Sequence, residues 1–330
     1  MQTTRAEAEQ VFAALPPGLQ APTLHPAYIE ADARRDRTLE PVFWCYREGG
    51  EVFYQGVHRC AIQKTSWFDI QSAYGYGGPL ASTEDPAFLA RAWEEFSAWC
   101  ATEQIVVEFT RFHPLLPRFG YPGEVMQNRE TVWIDLSAPD LLGSYDTRAR
   151  TAVRKAQKAG LQVVWPERAE YGSLFPPFYR EAMAGVQAEE FYRFGDEYFA
   201  AVFALPLTRL AVCKLGSEVV SAALFLVGPE MMEYDLAAST QKGRQTAAAN
   251  LVLHAAAVMG RGLGCTRLHL GGGTDSDPQN RLLFFKAGFS SKRANFVIGK
   301  NVYSAPKYEQ LKQQFSEAYR RHPKRVLFYR

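Results

Sequence analysis

Apolar, β-branched and aromatic residues gather in paired runs that alternate with helix-period stretches, and the same order occurs twice along the chain. Pro41 to Ile62 holds two β-rich runs around Glu48-Gly49-Gly50, which predicts a hairpin. Leu210 to Val227 repeats the pattern around Gly216-Ser217. In the first half there follow a glycine-rich loop from Tyr74 to Leu80, a helical stretch from Pro86 to Ala101 and a strand from Ile105 to Phe109. In the second half the order is a strand segment at Tyr234 to Leu236, a helix from about Gln245 to Gly262 and a strand from Thr266 to Leu270. Each half then has a Leu-Leu segment closing on an aromatic and a glycine, Leu115 to Gly120 and Leu282 to Phe289.

Elements recurring in one order at an offset of about 160 residues imply tandem copies of one unit. Hairpin, helix, strand, helix is the plan of a GNAT-type acyltransferase domain, a resemblance of fold only. The expected fold is therefore α/β, with two tandem GNAT-like domains, each a mixed, mostly antiparallel sheet flanked by helices. The first domain is placed at residues 1–143 and the second, catalytic one at 144–304. A C-terminal helical segment within residues 305–330 is expected to pack back on the first. Between the halves, Ser144 to Gly160 reads as a helix with Ala149, Val153 and Ala156 on one face and Arg150, Arg154 and Lys158 on another. Lys307 to Arg321 reads as a further amphipathic helix, with Tyr308, Leu311, Phe315 and Tyr319 at helical spacing.

Composition narrows the class. A chain of 330 residues exceeds the size of one typical core, and 47% hydrophobic with 22% charged residues is ordinary for a globular protein. Residues 1–20 lack the apolar core of a secretion signal, and the apolar stretch from Thr246 to Gly260 falls short of the roughly 20 residues that span a bilayer. A cytoplasmic protein without a transmembrane segment is expected. The five cysteines show no metal or disulfide spacing and read as reduced core thiols, with no metal site. A net charge of +2 demands no nucleic-acid partner, and DNA is not expected as one.

The most informative segment is Leu268-His269-Leu270-Gly271-Gly272-Gly273 with its continuation to Lys286. Three glycines at a strand end let the backbone take positive φ and approach a ligand closely. Asp277-Pro278 reads as an N-cap with proline at N1 and Gly288 as C′, which predicts a short helix from Pro278 to Ala287 with Lys286 in its last turn. Phe284, Phe285 and Phe289 would partly desolvate that ammonium and strengthen its pull on a developing anion. The plain alternative is a surface lysine favoured by the helix dipole.

The pattern LHLGGG, a polar gap, then LLFFKAGF resembles the second-domain signature of the Fem-type (FemABX-like) aminoacyltransferases, which transfer amino acids from aminoacyl-tRNA onto peptidoglycan precursors. Tyr74-Gly75-Tyr76-Gly77-Gly78-Pro79 and the stretch from Arg150 to Gly160 match that family and its GNAT-like relatives as well, so the resemblance spans roughly Tyr74 to Phe296. It implies that Phe285-Lys286 lies at the catalytic centre and that the lysine stabilises the oxyanion of a tetrahedral intermediate. It also implies aminoacyl-tRNA as co-substrate, no bound cofactor, and an amine acceptor of peptidoglycan-precursor or related small-molecule type. The long helical-hairpin arm of many coccal members has no counterpart between Ser144 and Leu210.

Other residues leave alternatives open. Tyr74 and Tyr76 with Gly77 and Gly78 suit stacking on a base or sugar near a phosphate, or form a tight turn. Arg150 and Arg154 suit a diphosphate or an RNA backbone, or lie on a solvated face; Arg34 and Arg35 are weaker candidates for the same task. Tyr234, Arg244, Gly271, Gly272 and Gly273 complete the candidate substrate-binding set. Gln241 to Thr246 carries a glycine out of place for a CoA-type pyrophosphate loop, which disfavours an acyl-CoA donor. Gly260 to Gly264 closes a helix and reads as a C-cap. Asp275 and Asp277 read as turn and cap residues in preference to a DxD pair, and His254 as a core histidine. A non-catalytic nucleotide-sugar-binding protein is the reading from another class.

Overall fold

The computed structural model describes every residue except 186–193 and Pro278. It divides into two units, residues 1–19, 23–128 and 296–330, and residues 20–22 and 129–295.

The first unit is built on the hairpin Glu40–Glu48 and Glu51–Ala61. Gly49 and Gly50 both have positive φ, 60° and 89°, as a two-residue turn matching the strand twist requires. Strand Phe68–Gln71 pairs antiparallel with Glu51–Ala61 and parallel with Ile105–Arg111. A parallel pair needs a crossover, and helix Pro86–Thr102 supplies it. Asp85 caps that helix and Pro86 occupies its first turn, while Phe88, Ala92, Phe96 and Cys100 recur on its buried face. The stretch from Leu115 to Gly120 forms a turn instead of a helix, interrupted by Pro117 and closed by Gly120 at φ 66°. The expected C-terminal helix is two, Ala305–Gln314 and Ser316–Arg321, broken at Phe315. Tyr308 and Leu311 bury against Ile62, Val106 and Val107.

The second unit contains a sheet in the order 129–135, Arg267–Gly272, Met231–Ser239, Glu218–Val227, Thr208–Leu215 and Leu161–Val164. All neighbours are antiparallel except Met231–Ser239 with Arg267–Gly272. Helix Ala248–Gly262 makes that crossover. The single helix expected from Gln245 to Gly262 is instead Gln241–Gln245 followed by Ala248–Gly262, because Ala247 stands in the left-handed region at φ 59°. Helix Thr147–Lys158 starts where the Asp146 side chain accepts from the Ala149 N–H. Its Ala149, Val153 and Ala156 join Leu251, Val252 and Ala256 in one core. Both units are thus mixed, mostly antiparallel sheets with flanking helices, as the duplicated pattern predicts.

The five cysteines are free and buried. Among the described residues no helix is long and apolar enough to cross a membrane.

Candidate active site

Strand Arg267–Gly272 ends in a bulge. Its register against 131–135 shifts between His269 and Gly271, and Gly271 takes φ 72°, a conformation costly for any residue with a Cβ. Gly272 and Gly273 are glycines for a different reason. A Cβ on Gly272 would lie 2.7 Å from the Glu130 carbonyl oxygen, and one on Gly273 would lie 2.5 Å from Asn280 Oδ1. The close approach that these glycines allow is to the protein's own strand and turn.

The helix after the turn is Arg281–Ala287, shorter than the pattern predicted. Its N-cap is Asn280, whose Oδ1 accepts from the Leu282 and Leu283 N–H groups at 3.0 and 3.1 Å. The expected cap, Asp277, accepts instead from Gln279 N at 2.9 Å in a local turn, and Pro278 lies outside the described residues. Asn280 Nδ2 also donates to Thr274 Oγ1 and Asp275 Oδ1, so Asp275 and Asp277 serve the turn. Gly288 is the C-cap with ordinary helical φ, and its missing Cβ leaves room for Asp146, Arg148 and Ala149.

These caps fix the direction of Lys286. Its side chain is 7% exposed, its Nζ donates to the Gly272 carbonyl at 2.7 Å, and it lies 5.7 Å from the centroid of the Tyr234 ring. Burial, helped by the nearby Arg129 cation, pulls its pKa down from 10.5 to about 7. Arg129 is itself turned to the same turn, donating to the Gly273 carbonyl at 2.8 Å. Phe285 is half-buried against the core, edge-on to Phe289 at 5.6 Å. Phe284 departs from expectation: it is 61% exposed and lies 3.5 Å beneath the Arg148 guanidinium. Two residues along a helix turn by about 200°, so Phe284 and Lys286 face opposite sides.

Lys286, Gly272 and Tyr234 are brought together, with Gly271, Gly273 and Phe285 around them. Arg129 and Asn280 were not singled out from sequence; an Asn directly before a run of apolar helix formers was the legible sign of the second. The remaining candidates stand elsewhere. Arg150 donates to the carbonyls of Gly143 and Tyr145, closing the short helix Leu141–Ser144. Arg154 is exposed on the same helix as Arg150. Arg244 donates to the Ser239 carbonyl, and Gly243 lets its helix approach Val220, whose carbonyl oxygen would be 2.0 Å from an added Cβ. His254 Nδ1 meets the Tyr145 hydroxyl at 3.3 Å, the bonded core histidine expected. Gly260 to Gly264 closes helix Ala248–Gly262, with Gly264 at φ 89°.

In the first unit the 74–79 loop is tied down by protein groups. The Tyr74 N–H donates to Asp32 Oδ2 at 2.8 Å, and the Gly77 N–H donates to the Arg111 carbonyl at 2.6 Å. Tyr76 packs edge-on to His113 and Phe296. Gly78 has φ 116°, and an added Cβ there would meet the Phe112 ring at 3.0 Å. Arg35 holds Asp32, and Arg34 is exposed.

No protein-family model matches the sequence, and no curated protein matches it. Solved structures do. FemX superposes with a TM-score of 0.73 at 15% identity, covering 95% of this chain and 99% of FemX. The C-terminal domain of a putative lysylphosphatidylglycerol synthetase from Agrobacterium fabrum gives 0.60 at 14% identity, over 96% of this chain and 98% of that domain. L-PGS from Bacillus licheniformis gives 0.55 at 14% identity, over 90% and 97%. This chain therefore has the fold of FemX along nearly its whole length.

Proposed function

We propose that the chain is an N-acyltransferase that forms an amide bond by moving an aminoacyl group from aminoacyl-tRNA to an amine of a peptidoglycan precursor or related small acceptor. The observation that carries this reading is Lys286, a buried cation held on the Gly272 carbonyl with its pKa brought near neutrality. The fold shared with FemX and the resemblance of LLFFKAGF to the Fem-type signature support it, as do two structural neighbours named for lysylphosphatidylglycerol synthesis.

The chemistry follows from what an ammonium can do. The acceptor's neutral amine attacks the ester carbonyl carbon, a C–N bond forms, and the carbonyl oxygen becomes an oxyanion. Lys286 Nζ has N–H groups beyond the one given to Gly272, and these donate to that oxygen. Developing negative charge raises the proton affinity of Nζ, so the hydrogen bond is stronger in the transition state than in the ground state. One such donor contributes about 3 to 4 kcal/mol to lowering the barrier. On collapse the C–O bond to the ribose breaks, and the proton lost by the amine ends on the leaving hydroxyl.

An acyl-CoA donor is the weaker reading here, because the Gly243 N–H is held by the Thr240 hydroxyl and the glycine serves close helix packing. The donor is tested by presenting charged tRNA and acyl-CoA, each with an amine acceptor, and following amide formation by mass spectrometry. Transfer from charged tRNA, with binding that weakens steeply as salt rises, is expected. Transfer from acyl-CoA alone would overturn the donor assignment, and binding of both without transfer from either would overturn the enzyme reading.

A further inference from the structure

The first unit holds a second cluster of charge that the proposed reaction does not use. Asp32 is fully buried and serves as its anchor: Arg35 Nε lies 3.2 Å from each of its carboxylate oxygens, and the Tyr74 N–H completes its set. His58, also fully buried, gives its Nε2 proton to the Ile29 carbonyl at 2.7 Å and turns Nδ1 towards Asp32 at 3.7 Å. Burial lowers its proton affinity, so it is a neutral member of the cluster. Beside them stands Arg111, at the end of strand Ile105–Arg111, with its guanidinium 4.6 Å from the Phe109 ring centroid.

Arg111 is the anomaly. Its Nη1 is shut off from solvent and has no hydrogen-bond partner. Burial first, and then the nearby Arg35 cation, pull its pKa down to about 10. A buried guanidinium N–H without an acceptor is among the costlier defects a fold can carry. Asp32 is the one carboxylate noted against the two guanidiniums, and its oxygens already take the Arg35 and Tyr74 donors. The cluster therefore has one positive charge and one strong donor in excess, beside a loop whose Gly75 and Gly78 take φ 82° and 116°.

We propose that Arg111 and Arg35 form a binding site for a small oxyanion, the carboxylate or phosphoryl group of a ligand, with Asp32 and His58 holding the two guanidiniums in place. An oxyanion there accepts from Arg111 Nη1 and neutralises the uncompensated charge, in the planar geometry that arginine supplies better than lysine. The proposal stands apart from the acyl-transfer reading, since it concerns binding alone and residues of the first unit alone.

Thermal unfolding of the full chain tests it, with titration by sodium phosphate, pyrophosphate or acetate against sodium chloride of equal ionic strength. The wild-type protein is expected to gain a saturable rise in melting temperature from at least one of these oxyanions. Whichever of the three acts at the lowest concentration distinguishes a phosphoryl from a carboxylate ligand. Arg111→Met and Arg35→Met are each expected to weaken the apparent affinity about tenfold or more, the loss of a charge-assisted pair, whereas the exposed Lys324→Met leaves it unchanged. Without added anion, Arg111→Met should melt no lower than wild type, because it removes an unpaired buried charge. No response beyond chloride, or equal responses in wild type and Arg111→Met, would overturn the site. So would a large loss of anion-free stability in Arg111→Met that Arg111→Lys restores, since that marks a purely structural cation. Should Arg111→Met fail to fold, Arg111→Lys keeps the test open: it preserves charge without the fork and must still weaken anion binding.

Discussion

Burying an ammonium strips it of water, and for Lys286 the compensation is one carbonyl and the face of one tyrosine. The sign of the pH effect follows. With a folded-state pKa of about 7 and an unfolded-state value of 10.5, the unfolded chain holds more protons between those limits. The destabilisation due to Lys286 is thus complete below pH 7 and fades as pH rises towards 10.5. Relative to Lys286→Met, wild type is predicted to gain stability with pH across that window, at up to about 1.4 kcal/mol per pH unit. Urea unfolding of both proteins at pH 6.5, 8 and 9.5 checks this, and a constant difference would show an unperturbed lysine. From sequence alone the position of Lys286 in a last helical turn was legible, but its depth was not. The neighbours that bury it, Tyr234 and the Gly272 carbonyl, come from strands distant in sequence, and Phe284, which adjacency suggested, faces away.

At the level of elements, the strand–turn–helix from Arg267 to Ala287 depends on one side chain. Asn280 caps the helix with its oxygen and holds Thr274 and Asp275 with its nitrogen, so it fixes both the turn and the axis along which Lys286 projects. Asn280→Ala is predicted to cost about 1 to 2 kcal/mol of stability, read from the shift in urea midpoint. A change within a few tenths of a kcal/mol would mean that the helix start is fixed by packing alone. The sequence contained two plausible caps, Asp277 before a proline and Asn280 before an apolar run, and local preference did not separate them. Geometry does, because Gly273 lacks the Cβ that would collide with the Asn280 side chain. The same limit explains the helix expected from Gln245 to Gly262: periodicity continues through Ala247, whereas the left-handed backbone there breaks it.

For the molecule as a whole, the duplicated order of hairpin, helix and strand was legible because glycine turns and hydrophobic period are local signals. What joins distant segments was not. Asp69, buried in the first unit, is paired with Tyr329 and Arg330 some 260 residues further on, and no pattern along the chain announces that contact. Function at this scale rests on one buried cation, and steady-state kinetics of amide formation with charged tRNA as donor, comparing wild type with Lys286→Met, test it most directly. The account predicts a fall in kcat of about 10²- to 10³-fold with KM little changed, the signature of a contact made only in the transition state. A variant that retains wild-type kcat would contradict it.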